Sequence, residues 1–216
     1  MKRLIFYDLD GTLVDTLQDI TEAANHMLRE IGLPPRDKKE IRQYIGRGAH
    51  ELVRLCVKAD DQAAIAKGLD IYRAYYQEHL VTHSRLYPNA LETLEHFKDR
   101  PQAVISNKPN PHSRDILRAL GVAQYFCAII GGNSGFPIKP NPQSLISILM
   151  QERVAPSEAV FVGDSPIDID AGRQAGTMTV MLTHGFTDEP ELRRAEPDVL
   201  VENFGELLEL ARQEHW

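Results

Sequence analysis

The stretch that decides the reading is LIFYDLDGT, residues 4–12. Four apolar or aromatic residues, Leu4 to Tyr7, run directly into Asp8 and Asp10, followed by Gly11 and Thr12. A short, uniformly apolar run bounded by turn residues reads as a strand buried on both faces, the habit of a parallel sheet. Ending such a strand in two carboxylates is costly unless something compensates them, because two unit charges ~4 Å apart repel by about 4 kcal/mol at an effective dielectric of 20.

Similar runs recur at RLIFYD, AVISN, CAIIGG, AVFVGD and TMTVML. Between the later ones lie helical patterns at NALETLEHFKD, PHSRDILRALG, NPQSLISILMQE and PIDIDAGRQAG, the last three with Pro near the start or Gly at the end. Alternating strand and helix predicts an α/β fold, a doubly wound parallel sheet with a Rossmann-like core. One stretch breaks the alternation. From Asp15 to about Val81 the texture is helical only: TLQDITEAANHMLREIG, DKKEIRQYIG, AHELVRLCVKA (49–59) and DQAAIAKGLDIYRAYYQEHL. In the first, Leu17, Ile20, Ala24, Met27, Leu28 and Ile31 share one helical face. Four helices are too many for an ordinary crossover. The expected division is therefore a catalytic core of residues 1–14 and 82–216 with a helical cap, 15–81, inserted after the first strand.

The formal net charge of −7 argues against nucleic acid as a partner, since no basic excess is available to neutralise a phosphate backbone. No apolar run approaches the ~18 residues of a membrane span, and the first one stops at Asp8, too short for a signal peptide. Cys56 and Cys127 form no metal or disulfide spacing and read as buried thiols of a reducing compartment. The expectation is a cytoplasmic protein, monomer or homodimer, whose partner is a small phosphorylated metabolite.

Four polar clusters stand near strand ends: DLDGT at Asp8, SNKP at Ser106, KPNP at Lys139 and GDSPIDID at Asp164. In an open parallel sheet those ends line the crevice where ligands bind. Asp8, Asp10, Ser106, Lys139, Asp164 and Asp168 are thus expected to converge. Several carboxylates in one crevice need a cation, and an all-oxygen donor set suits Mg²⁺, which commonly bridges to phosphate. A carboxylate can then act as nucleophile through an aspartyl-phosphate, with a second one two residues away as acid and base. Gly11 permits the turn that aims both, and its backbone N–H groups with the Ser106 hydroxyl are candidates to hold phosphoryl oxygens.

Each assignment has a plainer rival. Asp8 and Asp10 could cap a turn, Asp164 could N-cap the helix near Pro166, Asp168 and Asp170 could enrich its first turn, and Lys139 could be a solvated loop lysine. GGNSGFP (131–137) lacks the Lys-Ser/Thr of a phosphate loop. No two histidines stand at zinc spacing, and YRAYYQEH reads as a helix face.

With its motifs DLDGT, SN, Lys139 and GDSPID in order along the whole chain, the sequence resembles the haloacid dehalogenase superfamily. The resemblance implies Asp8 as nucleophile, Asp10 as general acid/base, and Ser106 and Lys139 as phosphoryl binders. It also implies Mg²⁺ on Asp8, the backbone carbonyl of Asp10, and Asp164, with Asp168 in support. Gly11, Thr12 and Asn107 join the substrate-binding set. Asp10 favours phosphate-ester cleavage, because the dehalogenases and phosphonate-cleaving members lack it. YIGRGAHELV and SNKP resemble phosphoglycolate phosphatases, which makes Arg47 the candidate for a substrate carboxylate. Mutases of the β-phosphoglucomutase type carry a His where this chain has Ile20, which counts against mutase chemistry. Pyrophosphatase, nucleotidase and sugar-phosphate phosphatase remain open, and a signalling receiver is the non-enzyme rival.

Overall fold

The structure, a computed structural model, describes residues 1–58 and 61–216. Its frame is a six-stranded parallel sheet built from β1 (Leu4–Tyr7), β4 (Gln102–Ile105), β5 (Ala128–Ile130), β6 (Ala159–Gly163), β7 (Met178–Leu182) and β8 (Val199–Val201). The spatial order β5-β4-β1-β6-β7-β8 makes it doubly wound. From β1 the chain winds outward through β4 and β5, then returns to the other side of β1 at β6. The topological switch point therefore lies at the carboxyl end of β1, where an open sheet leaves its crevice.

Alternation along β1 sends its side chains to two separate cores. Ile5 and Tyr7 join Val104, Val160 and Val162 under α5 (Ala90–His96), α6 (His112–Ala119) and α10 (Phe204–Gln213). Leu4 and Phe6 join Ala103, Ile105 and Phe161 under α7 (Gln143–Glu152) and α8 (Pro166–Ala175), and Leu192 of α9 (Glu189–Arg194) forms a smaller cluster with Met181 of β7 and Ile169 of α8. Both faces are covered, which is why each strand reads as a continuous apolar run. The Tyr7 hydroxyl, carried into one core, donates to Gln102 Oε1 at 3.1 Å.

Among the described residues four helices lie within 15–81: α1 (Leu17–Glu30), α2 (Lys38–Arg42), α3 (Ala49–Val57) and α4 (Gln62–Glu78). Ile20, Ala24, Met27 and Leu28 of α1 are buried, as their spacing predicts, and α1 packs along α4. The predicted α2 is shorter than expected, ending at Arg42 before Gly46 turns at φ +107°. The last residue of the predicted third helix, Ala59, lies outside the described residues. Where the chain leaves and re-enters the sheet unit, β2 (Val14–Asp15) pairs antiparallel with β3 (Arg85–Leu86). Asp15, read from sequence as the first residue of a helical stretch, is thus the end of a strand. Buried Asp19 of α1 binds the returning chain, accepting from His83 N (2.9 Å), Ser84 N (2.8 Å) and Ser84 Oγ (2.6 Å).

Cys56 is buried as expected, but Cys127 is exposed, because it precedes edge strand β5. Among the described residues no helix is long and apolar enough to cross a membrane.

Candidate active site

Asp8 follows β1, Ser106 follows β4, Asp164 follows β6, and Lys139 sits in the connection from β5 to α7. One carboxylate oxygen each from Asp8, Asp164 and Asp168 lie within 4.8 Å of one another. Lys139 Nζ stands between two of them, 2.8 Å from Asp8 Oδ1 and 2.7 Å from Asp168 Oδ1, with its side chain only 2% exposed. The ammonium is no solvated loop lysine. Burial by itself would lower it, but the Asp168 and Asp8 carboxylates outweigh that and hold it above its ordinary value.

One lysine against three buried acids leaves the cluster negative. Burial, opposed by Lys139 and reinforced by Asp168, pushes the Asp8 carboxyl up to about 7. Burial followed by the charges of Asp168 and Asp8 raises Asp164 well above the carboxylate range. A divalent cation is the ordinary remedy for such crowding. The donors are all hard oxygens, so the residues present fit Mg²⁺.

The oxygens are not equivalent. Asp164 accepts from Thr12 Oγ1 at 2.8 Å and from Phe186 N at 2.7 Å. Asp168 accepts from Lys139 and, through Oδ2, from Ser165 Oγ (2.7 Å), Ser165 N (3.2 Å) and Asp164 N (3.3 Å). Asp168 is therefore saturated and braces the start of α8, whose N-cap is Ser165 and not Asp164. Asp8 Oδ1 accepts from Leu9 N at 2.7 Å and from Lys139. Asp8 Oδ2 alone among these carboxylate oxygens has no partner among the described residues.

Asp10 is aimed differently. Its Oδ1 accepts from Thr16 Oγ1 at 2.6 Å and lies 3.3 Å from Lys108 Nζ. The turn that follows Asp10 needs Gly11, at φ +81°, where a Cβ would fall 2.4 Å from Asp164 Oδ2. Gly185 meets Asp164 from the other side, its own hypothetical Cβ 2.2 Å from that of Asp164. The N–H groups of Gly11 and Thr12 do not face an incoming phosphate as expected. They donate to Val14 O and Leu9 O inside the turn, and the Thr12 hydroxyl is spent on Asp164.

Ser106 is buried, its Oγ accepting from Lys108 N at 3.2 Å. Asn107 binds two loops: Nδ2 donates to Gly46 O (2.8 Å) and Lys139 O (3.0 Å), and Oδ1 accepts from Lys139 N (2.8 Å). Its amide thus positions the Lys139 loop instead of facing the cavity. Arg47 is exposed, at the edge of a cavity of about 490 Å³ shared with Asp8, Asp10, Arg42 and Asp164.

Two contributions escaped the sequence reading. Phe186 and Gly185 act through backbone alone, and no residue type announces that. Lys108 did carry a signal, being a cation immediately after a strand-end Ser-Asn, yet only the structure shows it buried against Asp10.

Fold and site together define a hydrolase of the doubly wound α/β class, organised around an aspartate pair at the switch point. The chain belongs to the haloacid dehalogenase-like hydrolases, whose family model matches residues 5–182. That membership sets aside the receiver reading. The sequence is 35% identical over 218 residues to a phosphoglycolate phosphatase of Haemophilus influenzae, covering 96% of this chain and 97% of the relative. It is 36% identical over 220 residues to one from Mannheimia succiniciproducens, with coverage of 96% and 97%. The crystal structure of a predicted phosphoglycolate phosphatase from Haemophilus somnus 129pt superposes at a TM-score of 0.92, with 33% identity over 97% of this chain and 98% of that one.

Proposed function

We propose that 2-phosphoglycolate is the substrate of this phosphomonoester hydrolase, cleaved to glycolate and inorganic phosphate. The observation that carries the mechanism is the unpartnered Asp8 Oδ2 beside an oxygen pinned by Leu9 N and Lys139. The lone pairs of Oδ2 are free, and the orientation of the carboxylate is set.

Asp8 Oδ2 attacks phosphorus, the P–O bond to the leaving glycolate breaks, and an aspartyl-phosphate forms. Asp10, two residues on, protonates the departing oxygen. It then takes a proton from the water that attacks phosphorus, which releases phosphate and restores the Asp8 carboxylate. The hydroxyl of Ser106 and the ammonium of Lys139 hold the phosphoryl oxygens, where charge builds in the transition state. Asp8, Asp164 and the backbone carbonyl of Asp10 would hold Mg²⁺. When bound, the ion would supply positive charge that offsets the crowded acids and the phosphoryl group. Residues 15–81 serve as the cap that encloses the leaving group, and α1 offers Ile20, apolar and 2% exposed, in place of a mutase-type base. The relatives that carry the substrate assignment match along nearly their whole length.

A panel of small phosphomonoesters assayed with and without Mg²⁺ tests the substrate. Phosphoglycolate should lead in kcat/KM; parity with pyrophosphate or sugar phosphates would remove the substrate while leaving the class. Asp8→Asn should lose at least about 10³-fold in kcat, the scale of removing a nucleophile, with no fall in thermal midpoint. Activity within tenfold of wild type would end the nucleophile assignment.

A further inference from the structure

Beside Asp10, on the side away from Asp164, the chain closes a second and much smaller cavity of about 30 Å³. Its walls come from both units: Ile20, Ile45, Leu52 and Tyr72 from the helical insertion, Lys108 and His112 from the sheet unit. Arg47 is not among its lining residues. A water needs roughly 10–15 Å³ of such space, so this pocket holds a group of two or three heavy atoms and no hexose.

Besides the carboxylate of Asp10, its polar side chains are hydrogen-bond donors. Lys108, 8% exposed, donates to the Tyr76 hydroxyl at 2.8 Å, lies 4.4 Å from the centre of the Tyr76 ring and stands 3.3 Å from Asp10 Oδ1. An ammonium has three protons to place, and these contacts account for two. The Tyr76 hydroxyl accepts from Lys108 but has no acceptor for its own proton among the described residues. The His112 ring packs edge-on to Tyr76, at 5.5 Å between centroids, and its nitrogens make no hydrogen bond among the described residues. Burial, with Lys108 nearby, lowers His112 to about 4, so its ring is neutral and keeps one N–H to donate. A buried cation and two unspent donors at the end of an apolar slot fit a small anion carried on a short carbon stem.

We infer that Lys108, with Tyr76 and His112, forms the subsite that binds the carboxylate of the substrate's leaving group. The inference deepens the proposed function and rests on its placing the leaving group beside Asp10. It replaces the rim residue Arg47 with a buried lysine as the reader of that charge. The position makes chemical sense: a carboxylate one carbon from the bridging oxygen reaches Lys108 while that oxygen stays at Asp10. An ester lacking the carboxylate leaves the third ammonium proton and both other donors unanswered, a strong basis for rejection.

The test compares kcat/KM for phosphoglycolate and for ethyl phosphate, in which a methyl replaces the carboxylate. Wild type should favour phosphoglycolate by about 100-fold or more, the range of one charged hydrogen-bonding contact, and Lys108→Met should bring the ratio within tenfold of unity. Tyr76→Phe, which keeps the ring against Lys108, should lower the ratio about tenfold. A ratio that stays at the wild-type value while both esters slow together would make Lys108 only a partner of Asp10 and overturn the inference. Glycolate as an inhibitor of p-nitrophenyl phosphate hydrolysis separates this from the substrate assignment. Inhibition weakened about 100-fold by Lys108→Met upholds the subsite even where phosphoglycolate is not the preferred ester. Equal inhibition of both proteins overturns it.

Discussion

Gly11 shows how narrowly a single position can be constrained. Its φ of +81° is natural for glycine and strained for any side chain. A methyl there would also lie 2.4 Å from Asp164 Oδ2, which accepts from Phe186 N while Thr12 holds the other oxygen of the same carboxylate. Gly11→Ala should therefore cost about 1–3 kcal/mol in urea denaturation, the scale of one strained backbone position. It should also lower kcat/KM at least tenfold, because Asp164 must shift. Turnover within threefold of wild type would show the site more tolerant than its packing implies. At this scale the acids were legible: ionised side chains at the end of a buried strand have few explanations. The partners of those acids were not, since a backbone N–H such as that of Phe186 has no letter.

Not every secondary-structure element was legible: β8, α9 and α10 were missed, while β5, as short as β8, was read from its apolar run. α1 and α4, with 14 and 17 residues, show helical periodicity plainly, whereas three-residue β8 and six-residue α9 offer too few positions to establish a period. Asp19 belongs to this scale. It lies on the buried side of α1, 1% exposed, where the apolar pattern leaves no place for a carboxylate. The structure explains it as the anchor of residues 83 and 84, tying the start of α1 to the chain returning toward β3. Asp19→Ala strands three donors and should destabilise the protein by about 3 kcal/mol. The urea midpoint should drop accordingly, with Asp19→Asn in between. A change under 0.5 kcal/mol, within ~ the range of ordinary surface substitutions, would mean that β2 and β3 hold the junction without it.

The whole molecule carries a pH signature set by its buried acids. Asp8 titrates near 7 when folded and at its ordinary value of 3.8 when unfolded, because burial opposes its charge. Between those values the folded state holds the extra proton, so this contribution to stability is complete below about 4 and lost as pH rises through about 7. Asp164, raised in the same direction, adds to the slope. Metal-free protein should show a thermal midpoint that falls from pH 5 to pH 8. Mg²⁺, favouring the ionised carboxylates, should raise that midpoint more at pH 8 than at pH 5. A stabilisation by Mg²⁺ equal at both values would detach the ion from these aspartates.

By itself the sequence determined the local facts: which runs are strands, that acids end them, and that a helical insertion follows the first. Those depend on neighbours one to four residues apart, the range over which side-chain period and turn chemistry operate. Only the tertiary structure decided which groups share a volume from which water is excluded. It set Tyr76 of the insertion against Lys108 of the sheet unit, 32 residues later, and set Lys108 against Asp10. It closed Gly185 and Phe186 over Asp164. Burial turns an ordinary lysine into a specific one, and burial is a property of the packed chain as a whole.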